Sequence, residues 1–147
     1  MVYTDAFQPS TLASAHRSRP VLRGIGAVFA GLAAVFAVTT ATDVLMHLSG
    51  VFPPLGAPPM SGPLFLLAFA YRLIFGVGGG YLTARLAPAH PMRHALILGG
   101  VGLALSIAGA AAMWDAGPAW YPLGVAASAL PCSWLGARLW LRRQAQA

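Results

Sequence analysis

The sequence predicts an all-α fold, an integral membrane bundle of four transmembrane helices. Of the 147 residues, 58% are hydrophobic and 8% are charged, whereas soluble domains carry about 25% charged residues. The chain also contains four apolar runs near the roughly 20 residues that cross about 30 Å of hydrocarbon. A surface with so few charged residues could not be hydrated by water alone. The four apolar runs are therefore expected to face lipid.

The boundaries of the four spans follow from proline, glycine and arginine between the apolar runs. The first run, Gly24 to Thr42, holds 19 residues without a charge, which exceeds the roughly 7–15 residues of a signal-peptide core. It is therefore expected to remain in the protein. The spans are predicted at 24–48, 64–86, 94–114 and 120–141, after a polar segment 1–23 and before a tail 142–147.

The connections between the spans are short and polar or rich in proline. The loop Ser49–Pro63 holds five prolines and three glycines, which oppose regular backbone hydrogen bonding. The second connection, Ala87–Arg93, is basic, and the third, Asp115–Pro122, is rich in aromatic residues and proline. Pro131 lies within the fourth run, where it predicts a kink.

The arginines predict the orientation of the chain and argue against nucleic-acid binding. The net charge is +6, but the positive residues flank apolar runs instead of forming a stripe with interleaved aromatics. Eight of the nine lie on one side, which the positive-inside rule assigns to the cytoplasm together with both termini. These residues are Arg17, Arg19, Arg23, Arg85, Arg93, Arg138, Arg142 and Arg143.

The cellular location is expected to be a bacterial inner membrane. All nine basic residues are arginine and all three acids are aspartate, with no lysine or glutamate. This bias is typical of a GC-rich bacterial genome. Both termini are then expected in the bacterial cytoplasm.

Arg72 is the exception to the arginine pattern because it lies inside the second span. It is the ninth residue of that span and lies about 13 Å from the outer end, the end opposite the cytoplasm. At that depth an arginine costs at least about 2.5–3.5 kcal/mol to insert. Asp43 lies about 7 Å from the same side of the bilayer on the first span. An arginine side chain can extend toward the interface to meet such a carboxylate.

The candidate site is therefore a charge pair or a binding site near the outer side of the bilayer. Thr39, Asp43 and His47 share one face of the first helix by their spacing of four, and Arg72 faces them. Two interpretations stay open. The pair either fixes helix packing, or it forms an outward-opening site for an anion, a proton or a small ligand. The full set of candidates is Asp43, Arg72, His47 and Thr39, with Asp115 and Tyr121 above them.

No cofactor, metal site or catalytic motif is predicted. Cys132 is the only cysteine, so an intramolecular disulfide or a paired-cysteine redox centre is excluded. Asp43 and His47 are two potential metal ligands, which is too few for a site. His90 and His94 are expected to be solvated at the interface. The glycines of residues 76–80 follow no strand and lack the lysine of a phosphate-binding loop.

Several segments resemble small, uncharacterised bacterial inner-membrane proteins with four helices. The resemblance rests on Ala70-Tyr-Arg72, on Gly79-Gly-Tyr-Leu-Thr-Ala-Arg-Leu-Ala-Pro88, on Pro91-Met-Arg-His94 and on Gly117-Pro-Ala-Trp-Tyr-Pro122. It covers about the last two-thirds of the chain. The resemblance implies the membrane class but no activity.

The expected function is that of a small, multi-pass inner-membrane protein without enzymatic activity, acting as an accessory or assembly partner. Small residues at a spacing of four, such as Gly76 and Gly80, allow helices to approach closely. The expected partners are the lipid bilayer and a second copy of the chain or another membrane protein, and not nucleic acid. The alternative is a small transporter or channel for an anion, a proton or a small solute that uses Arg72 and Asp43.

Overall fold

The structure, a computed structural model, describes residues 10–54, 60–112, 114 and 117–146. Apart from a 3₁₀ turn at Trp114, the regular secondary structure of these residues is α-helical, which confirms the predicted all-α class. The helices are α1 (Ser10–Leu48), α2 (Gly62–Leu86), α3 (Pro91–Ala112) and α4 (Trp120–Gln144).

Three helical segments are long and apolar enough to cross a membrane. They are Val21–Leu48 of α1, Gly62–Leu86 of α2 and Pro91–Ala112 of α3. α4 is long enough to cross a membrane, but its tryptophan, tyrosine, proline and serine residues lower its hydropathy. Its last two turns also contain Arg138, Arg142 and Arg143. The chain is thus a helical membrane protein with three apolar spans and a fourth helix that is less clearly a span.

Three helix starts differ from the prediction. α2 begins at Gly62, two residues early, with Pro63 in its first turn. α1 begins at Ser10 and not at Gly24, so part of the predicted polar segment 1–23 is helical. Residues 10–19 contain neither glycine nor proline, so no helix-breaking residue lies in this stretch before Pro20. α3 begins at Pro91, three residues early, because the fixed φ of proline suits the first helical position.

The helices form a bundle with two distinct ends. α2 and α3 pack mainly against α4, while α1 lies against α2 and, over a smaller area, against α3. The basic end carries the end of α2, the start of α3 and the end of α4, and there Arg143 Nη1 donates to Tyr81 Oη at 3.5 Å. The opposite, aromatic end carries the end of α1 and the start of α4.

Small residues at the basic end allow the helices to touch. Ala84, Ala95 and Ala137 are fully buried together. A Cβ atom built on Gly80 of α2 would lie 2.7 Å from the Cα of Ser133 on α4. The helix backbones therefore approach so closely that no larger side chain fits at Gly80, as expected for packing inside a bilayer.

Larger side chains fill the aromatic end. The chain turns back after α1, and the Phe52 amide donates to the Met46 carbonyl at 2.9 Å. Phe52 is 3% exposed and packs with Ala68 and Tyr71 of α2. This end of the bundle is thus closed by a loop residue, and the candidate site lies directly beside it.

Candidate functional site

Asp43 and Arg72 form an ion pair that joins α1 to α2. Arg72 Nη2 donates to Asp43 Oδ2 at 2.7 Å. The Arg72 side chain is 26% exposed and the Asp43 side chain is 30% exposed. Each charge has an opposite charge in contact, which reduces the cost of holding it in a low-dielectric region.

Tyr71 completes the site. Its hydroxyl donates to Asp43 Oδ1 and accepts a hydrogen bond from Arg72 Nη1 at 3.0 Å. Both carboxylate oxygens of Asp43 are therefore engaged by α2. Three side chains form a closed hydrogen-bonded ring, which we call the Asp43–Tyr71–Arg72 ring.

Tyr71 is the site residue that sequence reasoning missed. Residues three or four apart share one face of a helix, and a site predicted from that spacing leaves out Tyr71, the direct neighbour of Arg72. Consecutive residues can nevertheless reach one carboxylate from two sides when both side chains are long. The available signal was a tyrosine beside an intramembrane arginine, since a buried tyrosine hydroxyl usually finds a partner.

Tyr121 of α4 contacts the same guanidinium group. The Arg72 Cζ atom lies 5.7 Å from the centroid of the Tyr121 ring and 5.2 Å from that of Tyr71, within the range of a cation–π interaction. The Tyr121 ring packs in turn against Phe65, with centroids 5.1 Å apart. Arg72 thus connects three helices.

His47 contacts the backbone of Asp43 and not its carboxylate. His47 Nδ1 lies 2.8 Å from the Asp43 carbonyl oxygen, which can only accept, so Nδ1 is the donor. The His47 and Phe52 rings pack in a T-shaped arrangement, with centroids 5.5 Å apart. This arrangement orients the imidazole beside the ion pair without a hydrogen bond to either charged group.

The other predicted site residues have different outcomes. Thr39 is half-buried one turn before Asp43 and lines a cavity that also reaches Arg72. Asp115 lies outside the described residues. Among the described residues there is no group of three or more histidine, cysteine, aspartate or glutamate side chains that could hold a metal ion.

The cavity lies between the four helices, is partly open to the outside of the bundle and has a volume of about 250 Å³. Its walls are mostly apolar, and its lining includes the polar residues Arg72, Thr39 and Ser106. Residues from every helix line it: Leu32, Val35, Phe36, Thr39, Arg72, Gly76, Leu98, Gly99, Gly102, Leu105, Ser106, Val125, Ser128, Ala129, Cys132 and Ser133.

The charge of the Asp43–Tyr71–Arg72 ring determines its chemistry. One carboxylate and one guanidinium sum to zero, and both carboxylate oxygens already accept hydrogen bonds. Arg72 has five N–H donors, and the described residues accept from three, since Nη1 also contacts the Ala68 carbonyl at 3.4 Å. The arrangement can therefore fix helices together and still donate hydrogen bonds to a further group.

The chain matches no protein-family model, no curated protein and no solved structure.

Proposed function

We propose that this chain is a multi-pass protein of a bacterial inner membrane, without enzymatic activity, that acts as an accessory or assembly partner. In this proposal all four helices cross the bilayer and both termini are cytoplasmic. The partner is a second copy of the chain or another membrane protein.

One face of α3 carries this proposal. Gly100, Ala104, Ala108 and Ala112 follow one another at a spacing of four, and all are exposed in the single chain. A Cβ atom built on Gly100 would meet no other atom within 4 Å. A lipid-exposed stripe of small residues lets a second helix approach closely, which is the common basis of helix association in membranes.

The closed ring of hydrogen bonds supports a structural role for the ion pair. Asp43 is engaged on both oxygens, and Arg72 contacts α1, α2 and α4. Such a pair holds α1 in a defined position on the rest of the bundle. A rigid bundle with one small-residue face is suited to docking against another transmembrane helix.

Cross-linking in lipid tests the proposal. A Cys132→Ala chain carrying Ala104→Cys should form a disulfide-linked dimer in nanodiscs or native membranes, because Ala104 would lie at the centre of the contact. Ala108→Leu should weaken the dimer, since a larger side chain separates the helices. Ala33→Leu, at an exposed position of α1, is the matched control and should leave it unchanged.

Two results would contradict this role. A chain that remains monomeric in lipid and co-purifies with no stoichiometric membrane partner has no assembly function. A dimer that weakens with Ala33→Leu but not with Ala108→Leu would place the contact on α1.

A small transporter or channel is the second candidate, and the cavity beside Arg72 favours it. The cavity is lined by residues of all four helices and includes Arg72, which lies near the middle of the α2 span. Solute uptake that is lost in Arg72→Ala, with unchanged expression and folding, would favour transport of an anion, a proton or a small solute. Uptake that survives Arg72→Ala would exclude a role for this site.

A further inference from the structure

The cavity between the helices has two chemically different ends. On α3 its lining extends from Leu98 to Ser106 and on α4 from Val125 to Ser133, which is about 12 Å along the bundle at 1.5 Å per residue. Arg72, Thr39 and Ser106 lie toward the aromatic end. The remaining length is lined mainly by leucine, valine, alanine and glycine, with Ser133 near the other end. An occupant would therefore be elongated, apolar along its length and polar at one end.

The charge balance at Arg72 selects the polar group of that occupant. Arg72 is already neutralised by Asp43 at 2.7 Å. An anionic headgroup would add a second negative charge beside the Asp43 carboxylate, and repulsion between like charges is strong at low dielectric. A neutral acceptor oxygen avoids this cost and can still accept from the guanidinium.

Arg72 has donors for such an oxygen. Within the described part of the chain, Nη2 donates one of its two hydrogens to Asp43, and neither its second hydrogen nor Nε–H has an acceptor. A hydrogen bond from a charged donor is stronger than one between neutral groups. A carbonyl at the end of an apolar chain supplies the matching acceptor without any charge.

We propose that this cavity binds a neutral lipophilic carbonyl compound, with its apolar chain between α1, α3 and α4 and its carbonyl oxygen on Arg72. Esters and quinones share this chemistry. The site is separate from the exposed face of α3, so it does not depend on the assembly role, and either proposal can fail alone.

Cys132 provides a direct measurement because it lines the cavity and is the only cysteine of the chain. The rate at which N-ethylmaleimide alkylates Cys132 is measured in nanodiscs in the presence of one of three probes of similar length. The probes are methyl decanoate, undecane and decyl sulfonate. We expect methyl decanoate to protect Cys132 at a concentration about tenfold below that needed for undecane, the effect of one hydrogen bond to a charged donor. Decyl sulfonate should protect least.

A control separates the cavity from the bilayer. In a Cys132→Ala chain carrying Gly100→Cys, the cysteine lies on the exposed face of α3, and no probe should protect it beyond the general effect of undecane. In the double variant Asp43→Leu with Arg72→Leu, methyl decanoate and undecane should protect Cys132 equally. If Cys132 reacts too slowly to follow, Ser128→Cys in a Cys132→Ala chain lines the same cavity and replaces it.

The outcomes decide the proposal. Equal protection of the native chain by methyl decanoate and undecane would overturn it, as would strongest protection by decyl sulfonate or specific protection at Gly100→Cys. Once protection by the ester is established, decyl-trimethylbenzoquinone distinguishes the sources, because its fully substituted ring has no C–H position at which the Cys132 thiol could add. Protection at a lower concentration than the ester identifies a quinone site, and protection only at a higher concentration identifies an ester-lipid site.

Discussion

Arg72 Nη2 lies 2.7 Å from Asp43 Oδ2, and this contact joins the second helix to the first near the aromatic end of the bundle. Removing one partner leaves the other charge uncompensated, which typically costs about 3–5 kcal/mol in a buried pair, whereas replacing both with apolar residues is often nearly neutral. The exposure of about a quarter of each side chain places the expected cost at the lower end of that range. Asp43→Asn and Arg72→Leu should therefore each reduce the folded yield in mild detergent.

The double variant Asp43→Leu with Arg72→Leu tests this coupling. It should recover much of the monodisperse yield, measured by size-exclusion chromatography after a fixed heating step. Recovery of the biological phenotype together with folding would support a structural pair, and its continued loss would support a ligand or proton site. A double variant no better than the worse single variant would mean that Asp43 is not the main partner, and Asp115 would be examined next.

Tyr71→Phe isolates the second donor to Asp43. The substitution keeps the ring that packs against Phe52 and removes only the hydroxyl between Asp43 and Arg72. Hydrogen bonds to charged groups contribute about 1.5–3 kcal/mol, so the thermal midpoint should fall. Tyr81→Phe, at the basic end of the same helix, removes a hydroxyl in an exposed 3.5 Å contact and should have little effect. Equal effects of the two variants would mean that Tyr71 contributes through its ring alone.

Gly80→Leu should disrupt the fold of the single chain. Its side chain would collide with the backbone of Ser133, and overpacking of this kind costs about 1–3 kcal/mol or more. Gly78→Leu on the same helix is the control, since a Cβ there meets nothing within 4 Å. The folded fraction in detergent should drop for Gly80→Leu only. A well-folded Gly80→Leu chain with a weakened dimer would instead place Gly80 in an intermolecular contact.

The arginine distribution predicts that both termini are cytoplasmic. A periplasm-active alkaline phosphatase fused after Ala147 should remain inactive, and a cytoplasm-active fluorescent protein at the same position should be bright. The fusion after Ala112, at the end of α3, should show the reverse pattern. An active phosphatase after Ala147 would mean that α4 does not cross the membrane. This fusion is the most informative one, because α4 has the lowest hydropathy of the four helices.

The sequence determined the helices and the presence of a polar site, because both depend on local features. Proline and glycine separate the apolar runs, and the end of α2 at Leu86 and the start of α4 at Trp120 agree with that pattern. α4 ends at Gln144, three residues later than predicted, so the predicted tail is partly helical. Arg72 in an apolar run requires a partner, and few carboxylates are within reach. These inferences need only composition, spacing and the cost of a charge in lipid.

The tertiary structure alone decided which residues complete the site and which faces are buried. Over their apolar stretches, α1, α2 and α3 carry hydrophobic residues on every face. Their lipid-facing and protein-facing sides therefore look alike in the sequence, and no amphipathic pattern marks the interior. The pattern could not show that Gly80 is buried against α4 while Gly100 is exposed. The same uniformity hid Tyr71, the burial of Phe52 and the cavity beside Arg72, all of which depend on how close the helices approach one another.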